Sequence, residues 1–258
     1  MKVDFDRTAE DYGKHRVGFP ESLFRRLADK GIGVRGQSVL DLGTGTGVMA
    51  RGFARNGCRV VGLDIAKTLL ATARGLDAEA GLRVDYVLGR AEQIPLQRQS
   101  FDVVSAGQCW HWFDRPAALR EVRSQLRPGG HFVIAAFDWI PFGRNVVERT
   151  EELIERHNPA QFKPHIRFAM ASGLYPAFVR DLSEGGIRDI ETFSYDHTVT
   201  YSHGGWRGRI RASQGIGAML KPEQVRTFDE ELAELLRTHF PEEPMRIPHR
   251  VWVVHGRV

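Results

Sequence analysis

The chain has 258 residues, 42% hydrophobic and 26% charged, with a formal net charge of +4. That is ample length for one large domain with a buried core, in an ordinary globular balance. No apolar run is long enough to cross a bilayer, and Met1–Asp6 lacks the apolar stretch of a signal peptide, so the cytoplasm is the expected compartment. Arginine outnumbers lysine and is scattered along the chain, which speaks against a dedicated nucleic-acid surface. The two cysteines, Cys58 and Cys109, form neither a CxxC pair nor zinc spacing. Each reads as a buried reduced thiol, and no metal site is expected.

In chain order, Ser38–Leu42 is a short apolar strand running into a glycine turn. Val48 to Asn56 reads as a helix stopped by Gly57, and Arg59 to Asp64 as a second strand. Ala66 to Ala80 is a second helix, stopped by Gly81. Arg83 to Leu88 and Phe101 to Ala106 are the third and fourth strands. Asp114 can cap a helix through Leu126, with Pro116 in its first turn. Arg127-Pro128-Gly129-Gly130 closes that helix and turns the chain into a fifth strand, His131 to Phe137. Residues 139–185 mix helical stretches with aromatics and histidines. Ile187 to Thr200 reads as a strand, and Ser202 to Leu220 as partly helical. Pro222 to His239 is an amphipathic helix, and Ile247 to His255 a final strand. Alternating strands and helices predict a parallel sheet with crossover helices.

The segment Asp41-Leu42-Gly43-Thr44-Gly45-Thr46-Gly47 sits where the first strand meets the first helix. Glycines there let the backbone turn sharply and approach a ligand. The third glycine of a dinucleotide motif would fall at Val48. A carboxylate at Asp41 would repel a pyrophosphate and suit an ammonium group. Asp64, at the end of the second strand, stands where an acid can accept bonds from ribose hydroxyls. Together these fit a nucleoside that bears an amino acid and no phosphate, a description that matches S-adenosylmethionine.

At these residues the chain resembles the class I methyltransferase superfamily and its type 11 small-molecule subgroup. Asp41 to Gly47 is similar to the family's first motif, carrying Gly43, Thr44 and Gly45. Asp64 matches the ribose-binding acid, with Ile65 beside the adenine. Gly89 to Pro95 resembles the loop that packs on adenine, which implies roles for Ala91 and Glu92. The family commonly has an acid before that alanine, and this chain has Arg90. Phe101-Asp102-Val103-Val104, followed by Gln108 to Trp112, resembles the fourth-strand motif. Asp6 to Pro20, with Tyr12 and Arg16, is similar to an N-terminal cover. The resemblance implies a doubly wound α/β fold with seven mostly parallel strands. Its last strand is antiparallel near the edge, and a helical lid follows strand five. It also implies S-adenosyl-L-methionine as cofactor and S-adenosyl-L-homocysteine as product.

One domain over 1–258 is expected, with a cover at 1–35, a cofactor core at 36–137, a substrate lid at 138–220 and a C-terminal helix and strand at 221–258. Methyl transfer mainly requires that the acceptor be positioned and water excluded. His111 is the candidate base or hydrogen-bonding group, the alternative being that it orders its loop. Trp110, Trp139, His165 and Trp206 are candidate acceptor contacts, and Arg207, Arg209 and Arg211 would suit an acidic one. Arg207 and Arg211 share a helical face, while Arg209 does not.

The acceptor is expected to be a small molecule. A nucleic-acid methyltransferase is disfavoured, because Gly107-Gln108-Cys109-Trp110 stands where the Asp/Asn-Pro-Pro-aromatic tetrad would be. A dinucleotide oxidoreductase is opposed by Val48 and Asp41. A regulator that binds the nucleoside without turnover stays open.

Overall fold

Val39, Leu40 and Leu42 are fully buried along β1 (Ser38–Leu42), as are Val103, Val104 and Ala106 along β4 (Phe101–Gly107). Near-continuous burial of this kind belongs to parallel strands covered by helices on both faces. The computed structural model describes residues 17–159, 173–213, 215–217 and 219–258. Tyr12, Arg16 and His165 lie outside the described residues. Helix α1 (Glu21–Ala28) precedes β1, and α2 (Val48–Arg55), β2 (Arg59–Asp64), α3 (Lys67–Glu79) and β3 (Asp85–Leu88) follow it. After β4 come α4 (Arg115–Gln125), β5 (Leu126–Trp139), α5 (Val146–His157) and α6 (Pro176–Glu184). The chain then forms β6 (Arg188–Tyr201), α7 (His203–Arg211), α8 (Pro222–His239) and β7 (Met245–Arg257).

Among the described residues, seven strands form one sheet in the order β3-β2-β1-β4-β5-β7-β6. β1 pairs in parallel with β2 and β4, β2 with β3, and β4 with β5. β7 runs the other way. The Gly129 amide donates to the Val258 carbonyl, while the Ile140 amide donates to Pro248, so the two strands pass in opposite directions. The order reverses between β1 and β4. In open α/β sheets that reversal opens a crevice at the carboxyl ends of the strands.

Several boundaries differ from expectation by one or two residues, as at β7, which runs Met245–Arg257, and two strand starts differ for a visible reason. The third strand begins at Asp85, because Arg83 and Val84 pair with nothing in the ladder. The fifth begins at Leu126 and takes in Arg127–Gly130, which were expected to be a separate turn. Gly129 does adopt φ +76°, yet its amide and the Gly130 carbonyl still pair with Val258, and Leu126 pairs with Phe101. The irregularity appears instead as a register shift between Phe101 and Val103. Asp114 caps α4 as expected, accepting from the Ala117 amide at 3.1 Å.

The chain divides into two units. Among the described residues, one comprises Gly18–Phe137, Tyr175–Tyr195 and Val251–Val258 and holds β1 to β4 with their helices. The other comprises Val17, 138–159, 173–174 and the described part of 196–250. In that second unit Asp229 of α8 accepts from Arg211 at 2.8 Å and from Arg207. These two arginines share one face of α7, and both are matched by a carboxylate of the protein. The arginines pull the Asp229 carboxyl below its ordinary value against the opposing effect of burial. Asp229→Ala leaves two half-buried guanidinium groups without that partner. A loss of about 1–3 kcal/mol is expected in urea unfolding at neutral pH. The loss should shrink as acid protonates Asp229 in the native protein.

Candidate functional site

Gly43, Gly45 and Gly47 all lie in the left-handed region, at φ +56°, +57° and +77°. That repeated reversal coils the chain between β1 and α2, and it is open to glycine at little steric cost. The turn is tied on both sides. The Thr44 amide donates to the Leu63 carbonyl of β2 at 3.0 Å. The Gly45 amide donates to Asp64 Oδ2 at 2.8 Å, and the Ala66 amide donates to Asp64 Oδ1, also at 2.8 Å. Each Asp64 oxygen thus accepts one backbone bond, which fixes the carboxylate and leaves lone pairs for further donors.

Asp41 lies beneath the turn and is 1% exposed. Thr44 Oγ1 donates to its Oδ2 at 2.6 Å and Ser105 Oγ to its Oδ1 at 2.7 Å. Burial is the strongest influence and pushes the carboxyl up to about 6, against the two hydroxyl bonds and with help from the nearby Asp64 charge. Ser105 escaped the sequence reading. A serine within the otherwise apolar Val103-Val104-Ser105-Ala106 was the available signal, since a fully buried hydroxyl needs a partner.

Beyond Asp64, Ile65 is 67% exposed, and Leu88 at the end of β3 is 56% exposed. These are neighbouring strand ends on one rim, because Asp64 pairs with Leu88. Leu88 too was missed; its place as the last residue of a strand was visible, and its exposure was not. Ala91 is buried. Glu92 Oε1 accepts from the Asp114 amide at 3.1 Å, and its other oxygen lies 3.5 Å from Arg90 Nε, so this carboxylate braces its loop against the start of α4.

At the end of β4, Gln108 has φ +62°, and its Nε2 donates to the Phe137 carbonyl at 2.6 Å. A non-glycine residue held there is strained and must be fixed by its surroundings. Trp110, expected against an acceptor, is instead 1% exposed, with its Nε1 donating to Asp181 Oδ2 at 3.0 Å and its ring edge-on to Phe113 and Phe132. Its burial follows from the 3-10 turn at Trp110–Trp112, which turns the first ring inward and leaves His111 and Trp112 exposed.

The methyltransferase domain of the type 11 family matches residues 40–134. A malonyl-[acyl-carrier protein] O-methyltransferase of Serratia marcescens is 35% identical over 219 residues, covering 83% of this chain and 76% of that one. The chain belongs to the type 11 family of class I methyltransferases. An uncharacterised methyltransferase of Mycobacterium tuberculosis is 34% identical over 130 residues, a match spanning half of this chain and half the length of that relative. A solved structure from Anaeromyxobacter dehalogenans, named as a type II methyltransferase, has a TM-score of 0.64 at 24% identity. It covers 94% of this chain and 97% of that one, and the likeness is one of fold.

Of the other expected acceptor residues, Trp139 and Trp206 lie in the second unit. Trp206, also expected against an acceptor, is fully buried, and its Nε1 donates to Thr150 Oγ1 at 3.1 Å. Like Trp110, it packs as core, because the buried face of α7 turns it inward among Tyr201 and Trp139. Trp139 is half-buried, donates from Nε1 to Glu151 at 2.9 Å, and carries the Arg209 guanidinium 4.8 Å above its ring. Arg209 therefore faces an aromatic ring, while Arg207 and Arg211 face Asp229. Cys58 and Cys109 are both buried, and burial first of all pushes the Cys58 thiol up to about 11. No group of three His, Cys, Asp or Glu among the described residues is arranged to hold a metal ion. No described helix is long and apolar enough to cross a membrane.

Gly47→Ala places a methyl group at φ +77°, 2.8 Å from Arg51 Nη1 and in collision with the Tyr86 hydroxyl. A loss of roughly 1–3 kcal/mol in chemical unfolding is expected from the conformation alone. Gly81→Ala is the control, since it has a similar φ of +63° and no described residue within 4 Å of the added carbon.

Proposed function

We propose that this chain is an S-adenosylmethionine-dependent methyltransferase acting on a small molecule. The observation that carries the reading is Asp64, held by two backbone amides at the end of β2 beside the exposed side chains of Ile65 and Leu88. A carboxylate with free lone pairs next to two apolar side chains suits the ribose hydroxyls and the base of a nucleoside. The residues also fit the rest of that cofactor. Among the described residues, a carbon added at Gly45 would meet nothing within 4 Å, which suits close approach of a ligand over the turn. Asp41 sets a negative charge beneath the turn, which favours an ammonium over a phosphate.

The cofactor, when bound, supplies a methyl group already activated on a sulfonium. The protein's part is to hold and exclude. Asp64 accepts from the ribose, Ile65 and Leu88 cover the base, and Gly43, Thr44 and Gly45 bring backbone close to the amino-acid end. Ala91, Glu92 and Gln108 support the rim, Glu92 by bracing its loop and Gln108 through its bond to Phe137. His111 is proposed to accept a proton from the acceptor or to hydrogen-bond it. An oxygen acceptor on an acyl group is favoured by the Serratia relative, whose name states a malonyl group on an acyl-carrier protein.

Calorimetric titration with S-adenosylhomocysteine tests the reading. Micromolar, one-to-one binding is the expected result. Absence of binding, together with affinity for a nicotinamide dinucleotide, would replace it.

A further inference from the structure

Beneath the glycine turn lies a buried polar group to which the reading above assigns no part. Arg51 on α2 is 8% exposed, and its Nη1 donates to Asp77 Oδ1 on α3 at 3.0 Å. Asp77 is 4% exposed. Tyr86 of β3 lies against both. Among the described residues, neither its buried hydroxyl nor the buried Asp77 Oδ2 makes a hydrogen bond of good geometry. Burial, and next the neighbouring Asp77 carboxylate, push the phenol above its ordinary range, so it stays protonated.

Arg51 and Tyr86 converge on the turn, and Asp77 holds Arg51 from behind. A carbon added at Gly47 would lie 2.8 Å from Arg51 Nη1 and would collide with the Tyr86 hydroxyl. A carbon added at Gly62 would lie 2.7 Å from the Tyr86 ring and 2.9 Å from the Thr44 methyl group. Tyr86 is thus wedged under Gly47 and Gly62, next to Thr44. A buried ion pair is a poor device for stability alone, because desolvation offsets its attraction. Glycine adopts positive and negative φ about equally readily, so a turn built on three glycines keeps one conformation only where its surroundings select it.

We infer that Arg51, Asp77 and Tyr86 are positioning residues for the nucleoside turn. They act through Gly47 and Thr44 and touch no ligand themselves. The ion pair bridges α2 and α3, the helices that follow the two strands whose ends form the site. It thereby sets the floor on which the Gly43–Gly47 turn keeps its left-handed sequence. The inference rests on the nucleoside reading of that turn.

The test uses the full chain with two variants. Arg51→Met/Asp77→Leu removes both charges together and keeps most of the volume. Tyr86→Phe removes one hydroxyl and keeps the ring. Each is compared with the native protein in thermal midpoint, in hydrogen exchange over residues 43–47 without ligand, and in calorimetric affinity for S-adenosylhomocysteine. The double variant is expected to melt near the native midpoint. Its turn should exchange about tenfold faster or more, and its affinity should fall about tenfold or more.

Tyr86→Phe is expected to show the same pattern at about threefold, and it decides the matter should the double variant not fold. Native exchange over 43–47, or unchanged affinity despite faster exchange, overturns the inference. If the native protein itself does not bind S-adenosylhomocysteine, the nucleoside reading fails. The exchange rates of the ligand-free proteins then still decide whether the three residues hold the turn.

Discussion

Replacing Asp64 with alanine is expected to weaken S-adenosylhomocysteine binding by about a hundredfold or more. Two losses combine. Hydrogen bonds to a charged acceptor contribute about 1.5–3 kcal/mol each, and a ribose offers two hydroxyls. The same carboxylate holds the Gly45 and Ala66 amides, so alanine also releases the turn. Asparagine is no conservative replacement here. Both carboxylate oxygens accept backbone N–H groups, and an amide nitrogen in either place sets a donor against a donor. Asp64→Asn is therefore expected to lose most of the affinity as well. Calorimetry checks both variants, with circular dichroism to show that the sheet is intact. Native affinity in a folded Asp64→Ala protein would remove Asp64 from the site.

The second large effect concerns Asp41 and pH. Its carboxyl titrates at about 6 in the folded chain, against an ordinary 3.8, chiefly because it is buried. The folded state therefore binds more protons than the unfolded state between about pH 4 and 6, and Asp41's contribution to stability falls as pH rises through that window. About two units of separation correspond to ~3 kcal/mol. Buried His249 and His255, both lowered to about 4 chiefly by burial, act in the opposite direction. The Asp41 contribution is accordingly read from the difference between the native protein and Asp41→Asn. That variant is expected to be the more stable of the two at pH 7.5.

Binding should show the reverse preference. An ammonium pairs with the ionised carboxylate, so affinity for S-adenosylhomocysteine should tighten by about tenfold per unit as pH rises toward 6 and level off above it. Asp41→Asn should abolish that slope and bind weakly throughout. Titrations from pH 5 to 8 in buffers of different ionisation enthalpy measure both the affinity and the protons released. A native protein whose affinity does not change over this range would detach Asp41 from the ammonium.

What the sequence determined by itself is local and periodic. The β2 limits Arg59 and Asp64, the Asp114 cap and the helix Pro222–His239 were all legible, because apolar periodicity, a capping side chain and a first-turn proline act within a few residues. The glycine turn was legible as well once Asp41, Val48 and Asp64 were read with it, and the family resemblance rested on that set. Tertiary structure decided what depends on partners distant in the chain. The Arg127–Gly130 turn was drawn into β5 because Val258, at the far end of the chain, supplied the missing ladder bonds. Trp110 proved to be core because Asp181 satisfied its indole. Arg207 and Arg211 became structural because Asp229 answered them. Asp41 needed Ser105, 64 residues away, before its burial had a physical explanation. In each case the sequence carried the polar group, while the folded chain alone determined which partner would satisfy it. A buried donor or acceptor is costly until paired, and pairing is set by topology rather than by neighbours in sequence.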